Sequence, residues 1–155
     1  CCSGATRSGY RPSVEIDIAV RLAFVEAGPV VLDDAGDLVF PRLLDGPGVY
    51  RLELRAADVT EVYIGEAANL RARARGYRRP NPDNVTSWRI RARAQALLSA
   101  GGSVQMLVAE SATIIRDGLV VVLDIAGKAG KSGRVLAEHA ALVAAVLDGE
   151  AVLNR

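Results

Sequence analysis

The chain has 155 residues, half of them hydrophobic and 24% charged, enough apolar content to close a single core without disulfides, so one domain is expected. Its longest apolar runs, Leu119–Leu123 and Ala140–Leu147, fall far short of the roughly 20 residues of a membrane-spanning helix, which excludes that class. Cys1 and Cys2 are adjacent and cannot bridge in the usual geometry, and no secretory apolar segment is present, so the expected compartment is cytoplasmic.

Residues 1–11 show no periodicity and read as a mobile start. Ser13 reads as an N-cap with Glu15 and Asp17 in the first turn. Val14, Ile18, Leu22 and Val25 form an apolar stripe behind it, so a helix is expected to about Ala27, stopped by Gly28-Pro29. Short strands are expected at Val30–Leu32 and Leu38–Phe40, around a turn at Asp33–Gly36. Residues 1–45 thus read as an N-terminal, partly helical extension, too short for a domain of its own, and residues 46–155 as the main domain.

Gly46-Pro47-Gly48 signals a turn, Val49–Leu54 alternates as a strand, and Glu61–Gly65 returns antiparallel to it. Ala68–Arg79 favours helix, with Asn69, Arg73 and Tyr77 on one face, and Pro80–Asn84 breaks it. Thr86 or Ser87 is expected to cap a second helix reaching about Ala100, followed by a central strand at Ser103–Ala109. Thr113–Arg116 and Leu119–Leu123 flank Asp117-Gly118, a hairpin signal. Gly127–Gly133 superficially resembles a phosphate-binding loop, but the glycine required with four residues between it and Gly130-Lys131-Ser132 is missing: Ile125 stands there, followed by Ala126. A last helix over about Ser132–Leu147 carries Glu138 at the boundary of its apolar side.

Net charge is only +1, yet eight arginines (Arg71, Arg73, Arg75, Arg78, Arg79, Arg89, Arg91 and Arg93) share their stretch with one acid, Asp83. Such asymmetry suggests a basic face suited to a phosphodiester backbone; the plainer alternative is an arginine-rich solvated helix surface.

The arginines follow two short aromatic motifs, Gly48-Val49-Tyr50 and Tyr63-Ile64-Gly65, with Arg73 ten residues and Tyr77 fourteen residues beyond Tyr63. Each tripeptide alone reads as an ordinary strand. In order, and followed by Glu138 and Asn154, they resemble the GIY-YIG nuclease family, with Val49 in place of the middle isoleucine of the first motif. The resemblance spans about residues 46–155. It implies a small α/β (α+β) fold, an antiparallel sheet of the two motif strands and Ser103–Ala109 flanked by helices.

The resemblance also implies a metal-dependent endonuclease acting on DNA, with RNA left open, and a homodimer if both strands are cut at one place. By this resemblance Tyr50 is the general base or positions the attacking water, with Arg73 and the metal lowering its pKa, and Tyr63 orients water or phosphate. Arg73 stabilises the transition state, Tyr77 supports the proton relay, Asn154 lies near the site, and Glu138 holds one Mg²⁺ or Mn²⁺. From the charge asymmetry, Arg71, Arg75, Arg78, Arg79, Arg89, Arg91 and Arg93 are the expected nucleic-acid contacts.

Glu66, directly after the second motif, departs from the pattern: its carboxylate repels a phosphate unless it points away or binds the cation. The competing readings are structural. Tyr50 and Tyr63 pair as cross-strand aromatics, Glu138 pairs with Arg134 one turn earlier, and the lone His139 sits at a helix boundary without a second ligand for zinc. A catalytically silent nucleic-acid-binding module of the same fold is the alternative from another class, and a protein-interaction domain with chance motif matches is the third.

Overall fold

A computed structural model describes residues 13–154. The start at residues 1–11, with both cysteines, lies outside them. The elements in chain order are β1 (Ala19–Leu22), β2 (Val25–Leu32), β3 (Leu38–Val39), β4 (Gly48–Arg55), β5 (Thr60–Ala67), α1 (Leu70–Arg78), α2 (Val85–Ser99), β6 (Ser103–Ala109), β7 (Ala112–Arg116), β8 (Leu119–Val122), α3 (Lys131–Leu147) and β9 (Ala151–Val152). The mixed α+β architecture matches the expected class. A six-stranded sheet runs β3-β2-β6-β4-β5-β9, and a second sheet runs β1-β7-β8.

The three expected strands form the middle of the large sheet. β4 pairs antiparallel with β5 on one side and β6 on the other, which places Tyr50 between Gly65 and Val108. Because side chains alternate across a strand, the two faces of this sheet bury different sets. Tyr50, Leu52, Leu54, Tyr63 and Met106 face α1 and α2 through Leu70, Ala74, Tyr77, Ile90, Ala94 and Leu97. Val49, Val62 and Ile64 face α3 through Ala137, Ala141 and Ala145. That alanine row, spaced i, i+4, i+8, lets α3 lie close against the sheet.

The expected helix over Ser13–Ala27 is not formed: Ala19–Leu22 and Val25–Leu32 are strands. The same residues carry a second periodicity, Val14, Ile16, Ile18, Val20 and Leu22 at every other position, and that pattern prevails because β7 is there to pair with it. Gly28-Pro29 ends no helix. Gly28 has φ +138°, at the point where the β2–β6 register shifts, and Pro29 lies where β3 does not pair, so its missing N–H breaks no ladder bond on that side.

Two further boundaries differ. The cap of α2 is Asn84, whose side chain accepts from the Ser87 N–H at 2.9 Å, not Thr86 or Ser87. The chain end adds a strand, β9, parallel to β5 at Glu61–Val62. Asp117 and Gly118 both take positive φ in the β7–β8 turn, as a two-residue hairpin demands. All four residues of β8 are exposed along an edge of the small sheet.

Gly130 and Gly133 of the Gly127–Gly133 loop serve packing, while Gly127 has open space around it and a positive φ of 57°. A Cβ on Gly130 would run into the backbone of Ile125 and Ala126, and one on Gly133 into the Asp124 carbonyl, so the loop lies flat against the chain before it. Among the described residues no helix is long and apolar enough to cross a membrane.

Candidate functional site

Asn69 caps α1 by accepting from the Ala72 N–H at 2.8 Å, and Leu70, Ala74 and Tyr77 anchor the helix on the sheet. That anchoring delivers Arg73 and Tyr77, one turn apart, onto Tyr50. The two phenolic oxygens lie 2.7 Å apart, and Arg73 donates to both, from Nε to Tyr50 at 2.9 Å and from a terminal nitrogen to Tyr77 at 3.1 Å. The guanidinium also lies over the Tyr77 ring, 4.7 Å from its centroid. Tyr63 completes the cluster, its ring centroid 6.2 Å from that of Tyr50 and 6.4 Å from that of Tyr77.

Gly65 lies directly opposite Tyr50 in the β4–β5 register, and its missing side chain makes room for the phenol. A Cβ there would sit 2.5 Å from Tyr50 Cζ and closer still to the hydroxyl. The third letter of the second motif therefore has a steric cause. No side chain fits between this backbone and the tyrosine hydroxyl.

Beside this gap opens a cavity of about 590 Å³ lined by Tyr50, Tyr63, Gly65, Glu66, Arg73, Lys131, Arg134 and Glu138 among others. It receives Arg73 and the tyrosines from one layer and Glu138 from α3, in the other. Glu138 is half-buried, and among the described residues it makes no hydrogen bond or ion pair. Burial raises its pKa above the ordinary carboxylate value; the nearby Glu66 charge pushes the same way, and His139 and Arg73 partly offset both.

Glu66 does line the cavity, but Arg134 Nε holds its carboxylate at 2.6 Å. Arg134 is only 4% exposed and donates also to the carbonyls of Ile125 and Gly127 at 2.7 and 2.8 Å. The Arg134–Glu138 pair weighed as the structural alternative is therefore not made. The repulsion that Glu66 would exert on a phosphate is offset by its own guanidinium.

The proton inventory of the tyrosine pair constrains what it does. Tyr50 and Tyr77 have two O–H groups between them, one of which bridges their oxygens. Of the two only Tyr50 lines the cavity, so its proton is free for a ligand when Tyr77 donates to it, and one oxygen lone pair when it donates to Tyr77. Burial is the largest influence on Tyr50 and raises its pKa, as does the charge of Tyr63; Arg73 and the Tyr77 hydrogen bond oppose it without prevailing. The expected lowering by Arg73 is thus present but outweighed, because a phenolate with no exposed surface loses its hydration. Tyr50 rests as a phenol at neutral pH. Arg73 keeps its charge: burial works against it, but the neighbouring tyrosines outweigh that and raise its pKa.

A hard divalent cation suits this donor set. Mg²⁺ and Mn²⁺ take oxygen ligands, keep several waters and are often held by one or two carboxylates together with phosphate oxygens. Glu138 offers an unpaired carboxylate whose charge is disfavoured until a cation arrives. Among the described residues no group of three or more His, Cys, Asp or Glu is placed to hold an ion.

Asn154 does not line the cavity. Its carbonyl accepts from the Ile64 N–H at 3.0 Å and its amide donates to the Ile64 carbonyl, so one side chain continues the β9 ladder along the edge of β5, up to the residue before Gly65. The arginines expected on a nucleic-acid face divide. Arg71 pairs with Asp45, Arg78 with Asp33, Arg91 with Asp37 and Arg93 with Glu61, while Arg89 donates to the Leu153 carbonyl. Arg91 also bonds the carbonyls of Tyr77 and Arg78, which makes it a clamp between α2 and the end of α1. Arg75 and Arg79 are exposed on α1 and at its end, with no ion pair among the described residues.

Lys131 and Arg134 also line the cavity, and the only sequence signal for them is their place beside the glycine loop that begins the glutamate helix. No protein-family model matches the chain, and no curated protein matches it. Among solved structures, that of a bacteriophage T4 EndoII mutant is similar: 19% identical, covering 83% of this chain and 90% of that one, with a TM-score of 0.49.

Proposed function

We propose that this chain is a divalent-metal-dependent endonuclease of the GIY-YIG type that hydrolyses phosphodiester bonds in DNA, with residues 46–155 as the catalytic unit and the earlier residues as an extension of its sheet. The observation that carries the reading is the hydrogen-bonded Tyr50–Arg73–Tyr77 cluster opening into the cavity that also receives the unpaired Glu138.

Arg73 spends two of its five N–H donors on the tyrosines, and the remaining three supply the fork that binds a scissile phosphate and stabilises the charge gathering on its oxygens. Tyr50, a phenol at rest, donates a hydrogen bond to the attacking water or the phosphate. It accepts the water's proton only as its own proton passes to the phosphate oxygen it donates to, with Tyr77 and Arg73 donating to the phenol oxygen meanwhile. Tyr63 walls the cavity and orients what lies against Tyr50. Glu138 would hold the Mg²⁺ or Mn²⁺, with Glu66 beside it. Bound there, the ion supplies Lewis-acid stabilisation of phosphate oxygens.

Each chain brings one such site, so cutting both strands at one place calls for two copies. The test is cleavage of supercoiled and linear DNA with Mg²⁺ or Mn²⁺ by the wild type, Glu138→Ala and Tyr50→Phe. Metal-dependent cutting lost in both variants supports the reading. Tight DNA binding without cutting in either metal refutes it in favour of the catalytically silent module.

A further inference from the structure

Helix α1 is a wall between two hollows. Its inner side presents Arg73 to the cavity described above, with Tyr77 behind it on Tyr50, while Arg71, Arg75 and Arg78, at i, i+4 and i+7, line a separate pocket of about 430 Å³ against Phe40, Arg42 and Leu43. That volume lies within the ~300–1,000 Å³ usual for sites that enclose a small organic group. The floor is apolar and aromatic, the rim carries four guanidinium groups, and no carboxylate lines it. Asp45 and Asp33 neutralise Arg71 and Arg78 from outside, leaving Arg42 and Arg75 exposed and without an ion pair among the described residues. A second hollow, bounded by Arg75, Arg78 and Arg79, adjoins the first and continues the positive track. Phe40 also stacks on Tyr77, centroids 6.0 Å apart and planes 25° from parallel, so the floor of this pocket touches the catalytic cluster.

An apolar, aromatic-floored recess inside a ring of arginines matches a flat aromatic group carrying phosphates on either side. We propose that this pocket receives an unpaired nucleobase of the bound strand, its flanking phosphates held by Arg42 and Arg75 and its ring against Phe40. The proposal rests on the nuclease reading and adds to it a preference for DNA with an unstacked base near the cut. A base already unpaired enters without the cost of breaking a pair, which selects bulges, mismatches and single-strand junctions over perfect duplex. Stacking on an aromatic floor tolerates any base identity.

The test uses the full chain without added metal, so that DNA is bound and not cut. Two short labelled duplexes are compared, one fully paired and one with a single-nucleotide bulge of 5-iododeoxyuridine, and the bulged complex is irradiated for crosslink mapping. The expected result is roughly tenfold tighter binding of the bulged duplex and a crosslink in the peptide that contains Phe40. Arg42→Glu and Arg75→Glu should remove the preference itself, and Phe40→Leu the crosslink.

Equal affinity for the two duplexes, or crosslinks that avoid the Phe40 peptide, while the same preparation cuts plasmid with Mg²⁺, overturns this inference and leaves the nuclease reading standing. DNA-free self-association abolished by Arg42→Glu and Phe40→Leu also overturns it, since the occupant is then protein. No DNA binding and no cutting removes both.

Discussion

The tightest constraint at the site is the contact between Gly65 and Tyr50, and Gly65→Ala tests it. The added methyl would lie 2.5 Å from Tyr50 Cζ and 2.9 Å from Cε1, against the ~3.5–4.0 Å of ordinary carbon contacts, so the ring or the strand must yield by about 1 Å. Neither yields freely. Tyr50 has no exposed surface, its hydroxyl is tied to Tyr77 and Arg73, and β5 is paired with β4 throughout. Overpacking of this kind costs about 1–3 kcal/mol and a lost hydrogen bond to a charged group about 1.5–3, together about 3–5 kcal/mol. For a chain of this size that lowers Tm by about 10 °C. An error of about 1 Å in the tyrosine's place should also cost on the order of 100-fold in cleavage rate.

Thermal melts of the four members of a cycle with Tyr50→Leu, which removes the clashing atoms, isolate the cause. In the Tyr50→Leu background the alanine should cost little, giving a coupling close to the full cost, about 3 kcal/mol. Equal cost in both backgrounds, or no cost in either, would falsify the steric account.

Glu138→Gln should abolish metal-dependent cleavage yet raise Tm at neutral pH. Its folded carboxyl has a raised pKa, so the native state holds the proton more tightly than the unfolded chain, and stability falls as pH rises through the interval between the two values. The advantage of the glutamine should vanish below that interval, and Mg²⁺ should raise Tm for the wild type alone; a variant less stable at neutral pH would refute this, as read by calorimetry across pH. Arg134→Met leaves the Glu66 charge and two carbonyls without their partner, and urea denaturation should show a loss of about 3–5 kcal/mol. Asn154→Ala removes both bonds to Ile64 and should cost about 1–3 kcal/mol, with hydrogen exchange rising at Ile64; an unchanged exchange rate would contradict its role as an edge staple.

What the sequence made legible is mostly local. The alternating strands around Tyr50 and Tyr63, the helix bearing Arg73 and the central strand were readable because each carries its periodicity within a few residues. The N-terminal segment failed because Val14–Leu22 satisfies two periodicities at once, and only the distant partner β7 decides between them. The arginine stretch reads as one basic face in sequence. Folding brings Asp33, Asp37, Asp45 and Glu61 onto it from 26 to 54 residues away, a pairing no local pattern encodes. The roles of Gly65, Arg134 and Asn154 are likewise long-range. Gly65 is defined by a cross-strand ring, Arg134 by Glu66 sixty-eight residues before it, and Asn154 by a strand edge ninety residues away.

The β8 strand carries a consequence for how the protein behaves in the tube. Leu119, Val120, Val121 and Val122 are each more than half exposed, and one side of their backbone ladder pairs with nothing among the described residues. An uncharged β-branched edge of this kind templates sheet growth between molecules at high concentration, with or without DNA. Particle size in a concentrated stock therefore tracks the storage conditions as much as the biology. Species held together this way should disperse on dilution or with Val121→Lys, leaving any dimer that forms on a cleavage substrate intact.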